Sequence, residues 1–433
     1  MASITLSKVS KVYPPSVRAV DDLSLDVGDG EVVVLLGGPG CGKSTLLRMV
    51  AGIERPTSGQ ILFDGVDVAA ATPPERRVAM LFQRPALYPK LTVAANIGFP
   101  LQTASVRAER ATALVRASAR ATGVEGLLDR HPHELTDEQQ QRVAVARAMV
   151  RSPRLLLLDE PVSQVGGTAG AKLLAEIATL VRDAGITAVY VTPERGDAPA
   201  VADRIGVMRN GRIEDIGPPS RVYDRPATAF TAALVGGPAV TLLDATVEME
   251  DGSHTAAWLG RVGLALPWRD LQARELTHFH GERVVVGIPP EALRLVGPGP
   301  NAIGGPVLPG VVRRVVPLGA FSDSAVDIGG TAVDLDRDRS DDGEGGGRAS
   351  SGALRRVEEL AAVGGRHGRH GRHGPRRDLS EIPRASTTHP AELTVRTARA
   401  DAPQQGSRVF VRVDLSRVHF FDVRGRRIGT GWR

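Results

Sequence analysis

A chain of 433 residues is long enough for two or three domains, each with a sizeable core. Its hydrophobic share of 42% and charged share of 24% are ordinary for globular proteins, the single cysteine, Cys41, excludes an intrachain disulfide, and no run of roughly eighteen apolar residues marks a membrane-spanning helix. The net charge of +5 is small for the length and rests almost wholly on arginine, so it reads first as a coding bias and only second as attraction to an anionic membrane surface; no nucleic-acid partner is expected.

The first residues, Met1 to Lys8, lack the charged-then-apolar pattern of a secretion signal. The chain is therefore expected in the cytosol, with any membrane association made through a partner. Residues 4–12 and 19–27 alternate apolar and polar side chains and predict two strands, with Gly28-Asp29-Gly30 as a turn. Tyr13, just past the first strand, is open to two readings, stacking on a nucleotide base or plain packing. The apolar run 32–36 then leads into Gly37-Gly38-Pro39-Gly40-Cys41-Gly42-Lys43-Ser44-Thr45, and residues 46–51 suit a helix. This is G-x-x-x-x-G-K-[ST] between a strand and a helix, the context a phosphate-binding loop requires. Its glycines permit a tight turn whose N–H groups cradle phosphate oxygens, and the helix start adds partial positive charge. Lys43 can reach the β- and γ-phosphates of a nucleotide, and Ser44 can ligate Mg²⁺.

Further on, residues 60–63 and 78–82 predict strands, and Gln83 follows the second directly, where ligands bind in open α/β sheets. Residues 96–130 carry Leu and Val at helical spacing. Leu135-Thr136-Asp137-Glu138-Gln139 leads into a helix over 140–150, with Thr136 and the acids after it as a plausible start. Residues 155–158 are four leucines closed by Asp159-Glu160-Pro161. Acids directly after an apolar strand, downstream of a phosphate loop, read as a Walker B pair: Asp159 holds Mg²⁺ and Glu160 orients or deprotonates the attacking water. A helix over 170–184, a strand over 187–191 and a hairpin across Arg209-Asn210-Gly211 complete this part.

Around Gly236-Gly237-Pro238 the helix–strand alternation stops. Short strands are predicted at 245–249, 262–266, 283–288, 310–316, 325–328, 391–396, 409–413 and 418–421, the pattern of a small β-barrel or sandwich. Residues 334–388 are Gly-rich and charge-segregated and read as mostly disordered, with a short helix conceivable at 354–363. His367, His370 and His373 recur at a spacing of three inside that stretch. No carboxylate or cysteine frames them, which favours low-complexity expansion over a metal tract.

In order, the phosphate loop, Gln83, residues 135–139 and residues 155–161 resemble an ATP-binding cassette (ABC) ATPase. The likeness is closer to the ATPases of maltose-type sugar importers: residues 82–101 resemble that group's Q-loop, residues 210–236 its cassette end, and residues 281–295 and 412–428 its C-terminal TOBE barrel. The resemblance implies a P-loop NTPase cassette with an α/β core over residues 1–235, a helical subdomain at about 96–150, and an OB/TOBE-like β domain over 236–433 that carries the insert. It implies ATP and Mg²⁺ as cofactors, Tyr13 stacked on adenine, Gly37 to Thr45 and Asp159 around the nucleotide, and Ser44, Gln83 and Asp159 around the metal. Glu160 and Gln83 become the catalytic pair, with Gln83 coupling the γ-phosphate site to a permease. Thr136, Asp137, Glu138 and Gln139 become the signature that meets the ATP of a second ATPase subunit, identical or related. The implied partners are transmembrane permease subunits, whose coupling helix would meet residues 85–128, and, indirectly, an extracytoplasmic solute-binding protein. The implied location is the inner face of the cell membrane.

Three departures stand against this pattern. The family's LSGGQ is Leu135-Thr136-Asp137-Glu138-Gln139, in which two glycines that approach the γ-phosphate have become carboxylates. The switch histidine is Pro193, which has no ring nitrogen to offer. The D-loop aspartate is missing from Ser163-Gln164-Val165-Gly166. The expected function is the ATP-binding subunit of an importer for a carbohydrate or related polar solute, with impaired turnover. The alternative is a catalytically degenerate cassette serving as a nucleotide-dependent binding or regulatory subunit.

Overall fold

Alternating side chains build the first layer. In the computed structural model, which describes residues 2–102, 106–196, 198–236, 240–250, 254–260, 262–266, 271–297, 305–333 and 390–429, β1 (Ile4–Tyr13) and β2 (Val17–Val27) pair antiparallel. Ile4, Leu6, Val9, Val20, Leu23, Leu25 and Val27 turn inward and are buried. The chain continues through β3 (Val32–Leu36), α1 (Lys43–Ala51), β4 (Ser58–Phe63) and β5 (Val66–Asp67). β4 and β5 complete a four-stranded antiparallel sheet in the order β2-β1-β4-β5.

The second layer is centred on strands rich in aliphatic residues, as strands buried on both faces are. After α2 (Pro73–Arg76) come β6 (Val78–Leu81), α3 (Val93–Gln102), α4 (Ala108–Ala121), α5 (Asp137–Met149) and β7 (Leu155–Asp159). Then follow α6 (Gly167–Asp183), β8 (Thr187–Thr192), α7 (Ala198–Val201), β9 (Arg204–Arg209), β10 (Arg212–Gly217), α8 (Pro219–Asp224) and α9 (Ala229–Gly236). The six-stranded sheet runs β10-β9-β3-β8-β7-β6. β3, β6, β7, β8 and β9 are parallel, and β10 folds back across the Asn210-Gly211 turn. Because β3, β6, β7 and β8 share a direction, the segments that follow them at Gly37, Phe82, Glu160 and Pro193 all leave from one edge of the sheet.

Helices α3, α4 and α5 enclose a separate small core of Val93, Ile97, Leu101, Val115, Ala119, Val143 and Ala146. Fully buried Asn96 ties the preceding loop to it, accepting from Tyr88 N–H at 2.8 Å and donating to the carbonyls of Tyr88, Leu91 and Thr92. The helical reading of 96–130 needs correction: α3 begins earlier, at Val93, and a break separates it from α4. Likewise α5 starts at Asp137, not at 140, and α6 at Gly167, not at 170.

The described chain divides into two compact units, Met1–Gly237 and Pro238–Arg433. The second consists of β11 (Thr241–Glu250), β12 (His254–Leu259), β13 (Val262–Leu266), β14 (Arg283–Ile288), β15 (Leu293–Val296), β16 (Val307–Leu318), β17 (Phe321–Thr331), β18 (Pro390–Ala398), β19 (Arg408–Val413) and β20 (His419–Phe421). They form two five-stranded antiparallel sheets, β13-β12-β11-β14-β20 and β15-β19-β16-β17-β18. Inward residues of both sheets share one core that includes Leu243, Val247, Leu264, Val286, Leu308, Val326, Val411 and Phe420. A Leu243–Ala332 bridge and the Val333 N–H donating to Leu242 O at 3.0 Å join the sheets at one corner. β12 and β15 are absent from the sequence expectation: Ala256-Ala257 interrupts the β-signature of β12, whose β-branched residue is Thr255 alone, and β15 is four residues long. The stretch 334–388, with its conceivable helix and its three histidines, lies outside the described residues.

Candidate phosphate-binding site

The site grows out of the end of β3, all five of whose residues are buried. A side chain at Gly37 has no room, since its Cβ would lie 2.6 Å from Cys41 Sγ and 2.6 Å from Met208 O. Gly42, at φ 105°, is pressed against β2, and a Cβ there would meet Ala19 O at 2.1 Å. The loop is thus backed by β2 and β9. At Gly38 and Gly40 a Cβ would meet nothing within 4 Å, so the opposite side is open. The hairpin turn braces the loop: Gly211 N–H donates to Cys41 O at 2.9 Å, and Asp21 N–H donates to Gly211 O at 3.0 Å.

Lys43, the first residue of α1, is buried and folds its ammonium over the loop, donating to Gly37 O at 2.8 Å and Gly38 O at 3.0 Å, with Cys41 Sγ at 3.7 Å. At the far end of α1 the Arg76 guanidinium is buried and donates to Met49 O at 2.9 Å and Val50 O at 2.8 Å. A cation on the last carbonyls complements the negative end of the helix. Sequence reasoning missed Arg76, whose only local signal is an arginine after Pro73-Pro74-Glu75.

Ser44 Oγ donates to Asp159 Oδ1 at 2.9 Å, across 115 residues of sequence. The hydroxyl and carboxylate form a hard-oxygen pair at a helix N-terminus, the donor chemistry a magnesium ion takes. Glu160 follows with φ 49°, and its carboxylate accepts from Gln83 Nε2 at 3.2 Å. Gln83 thus meets Glu160; no hydrogen bond joins it to Ser44 or Asp159 among the described residues. Burial holds the Glu160 carboxyl above the usual carboxylate range; Lys43 opposes this, and Asp159 and Glu194 add to it. Glu194 is a second residue the sequence reading passed over. Its N–H donates to Thr192 Oγ1 at 2.9 Å, and Tyr223 of α8 donates its hydroxyl to Arg195 O at 2.5 Å, so the segment containing Pro193 is pinned on both sides.

A raised carboxyl pKa has a definite sign. The folded state resists ionising Glu160, so that group costs stability above its folded pKa and nothing below its unfolded one. Glu160→Gln should therefore raise the melting temperature of the nucleotide-free chain at about pH 8, and the gain should vanish by about pH 3.5, where carboxyls are protonated in both states. Melts showing the same gain at both pH values would mean that the effect is not ionisation.

Tyr13, the last residue of β1, donates its hydroxyl to Glu54, and Lys11 Nζ stands 5.1 Å from the ring centroid. Burial, then the Glu54 hydrogen bond, raise its pKa, while a hydrogen bond with Thr45 lowers it, which places the phenol beside α1. Thr136 caps α5: its Oγ1 accepts from Gln139 N–H at 3.3 Å, and Gln139 Oε1 accepts from Thr136 N–H at 3.1 Å. Asp137 and Glu138 fill the first turn behind that box. Among the described residues, no hydrogen bond or ion pair connects residues 136–139 with the phosphate loop of the same chain.

The family profile described as "ABC transporter" matches residues 20–163. The sn-glycerol-3-phosphate import ATP-binding protein UgpC of Rhizobium meliloti (strain 1021) is 43% identical over 61% of this chain and 76% of its own length. The trehalose/maltose import ATP-binding protein MalK of Thermococcus litoralis is 41% identical over 68% of this chain and 79% of its own. The trehalose import ATP-binding protein SugC of Mycobacterium tuberculosis is 39% identical over 68% and 73%.

Proposed function

The chain belongs to the ABC transporter ATP-binding family, and from that premise we propose that it binds MgATP as the energising subunit of an importer for a carbohydrate or related polar solute. The observation that carries the reading is the convergence of Lys43, Ser44 and Asp159 at one sheet edge, with Ser44 Oγ 2.9 Å from Asp159 Oδ1. Residues Gly37 to Thr45 wrap the phosphates, and Lys43 neutralises them. Ser44 and Asp159 hold Mg²⁺, which supplies charge neutralisation at the phosphates. Glu160, with Gln83 on its carboxylate, orients the attacking water, and its raised pKa suits a group that accepts a proton. Tyr13 presents its ring to the adenine. The solute class rests on the printed names of UgpC, MalK and SugC. Among the described residues no helix is long and apolar enough to cross a membrane. Passage of the solute is assigned to permease partners. The second unit is taken as a TOBE-like domain.

Pro193 and the Asp137-Glu138 pair favour a second reading, a cassette that binds nucleotide and regulates a partner. Co-purification with the membrane partner in lipid discs, followed by phosphate release, separates the two. The importer reading expects ATP turnover that rises when the solute's binding protein is added; tight ATP binding with turnover indifferent to that addition sinks it.

A further inference from the structure

The two acids that open α5 are not equivalent. The Glu138 carboxylate accepts from Arg142 Nε at 3.0 Å and lies 2.9 Å from Nη2 of the same guanidinium. Arg142 Nη1 stands 2.5 Å from Glu176 Oε2 on α6 and donates to Thr122 O, at the end of α4, at 3.3 Å. Hydrogen bonds donated to both carboxylates keep the arginine firmly charged, its pKa pushed above the ordinary value with Glu176 the larger contributor. Asp137 is exposed, and among the described residues its carboxylate has no ion-pair partner. The sequence explains the asymmetry. One helical turn on, the position after Glu138 holds Arg142, whereas the position after Asp137 holds Gln141, a neutral amide that offers no countercharge. The reciprocal Thr136–Gln139 cap fixes the turn between them, so the two carboxylates cannot exchange places.

We infer that Asp137 presents the unpaired carboxylate at the start of α5, and that Arg142 is a positioning residue that withholds Glu138 from a phosphate approaching it. The inference rests on the reading above that this helix start faces a nucleotide phosphate. It also assigns Arg142 a task specific to this chain, because a glycine at 138 has no carboxylate to hold.

The test uses the full chain with Asp137→Asn, Glu138→Gln, Arg142→Gln and the Glu138→Gln/Arg142→Gln double variant. In urea melts the double variant should lose less midpoint than the two singles together; strictly additive losses overturn the pairing. In ATP turnover, Asp137→Asn should gain about tenfold, several times the gain from Glu138→Gln, since it removes the unpaired charge. Arg142→Gln should lose turnover by releasing Glu138, and adding Glu138→Gln should restore it. A purely structural arginine gives no such rescue, because the Glu176 bridge stays broken in the double variant. Equal gains from Asp137→Asn and Glu138→Gln, or an Arg142→Gln loss that Glu138→Gln leaves in place, overturn the inference. Calorimetry on the same proteins keeps the two questions apart: a chain that binds no MgATP sinks the reading of the site, whereas bound ATP with equal gains sinks this inference alone.

Discussion

Lys43→Ala should weaken MgATP binding by about 1.5–3 kcal/mol, on the order of ten- to a hundredfold in Kd. The hydrogen bond it removes is charge-assisted, and the ammonium is poised for it, buried at the start of α1 and already bonded to the Gly37 and Gly38 carbonyls. Those two bonds also draw the loop into shape, so alanine removes both a phosphate partner and a support for the backbone cradle. ADP, which keeps the β-phosphate, should lose affinity as well. Titration calorimetry decides it, with a thermal melt to show that the variant is folded. Equal ATP affinity in the two proteins would remove the phosphate loop from the account.

What the sequence disclosed, and what it hid, follows from the range of each interaction. The phosphate loop is a local object: nine consecutive residues with an aliphatic strand before them and a helix behind, and the structure keeps that order, with α1 starting three residues early at Lys43, inside the motif. The aliphatic strands of the central sheet were equally legible, because burial on both faces leaves no polar alternation to misread. The braces around the loop were not. Arg76 reaches back 27 residues to the end of α1, and Gly211 arrives from a hairpin 170 residues away to hold Cys41, pairings that no periodicity encodes. Tyr13 has two readings in the sequence; its hydroxyl lies on Glu54, beside α1. The acids of residues 137 and 138 read from sequence as one repulsive pair. The fold divides them, because only Glu138 has a cation one turn away.

Restoring the family pattern should raise turnover and lower stability at once. As a start for α5, Thr136-Asp137-Glu138-Gln139 is well made: a reciprocal capping box, two carboxylates in the first turn, and an i,i+4 pair from Glu138 to Arg142. Replacing Asp137 and Glu138 by glycine gives up two favourable dipole interactions and adds two residues of high backbone entropy. Together that costs about 1–3 kcal/mol of folding free energy. In return the helix N-terminus and its N–H groups are uncovered for a phosphate, and most of that gain should come from position 137. Pro193→His adds an imidazole nitrogen able to hydrogen-bond, where the proline ring nitrogen is a tertiary amide without a proton, on a segment held in place by Thr192 and Tyr223. Removing one transition-state interaction costs about 10²–10³ in rate, so each restoration has room to act. If two copies of this chain share their sites, every site carries both defects. Turnover should then rise with Pro193→His, rise with the glycine pair, and rise most in the triple variant. Glu160 is retained, so the unaltered protein should be slow, not dead. Phosphate release and urea melts on the same four proteins test both halves. An unaltered chain turning over at several per second, within the ordinary enzyme range, would mean that another residue has taken the histidine's place. Glycine variants as stable as the parent would show that the acids were never serving the helix.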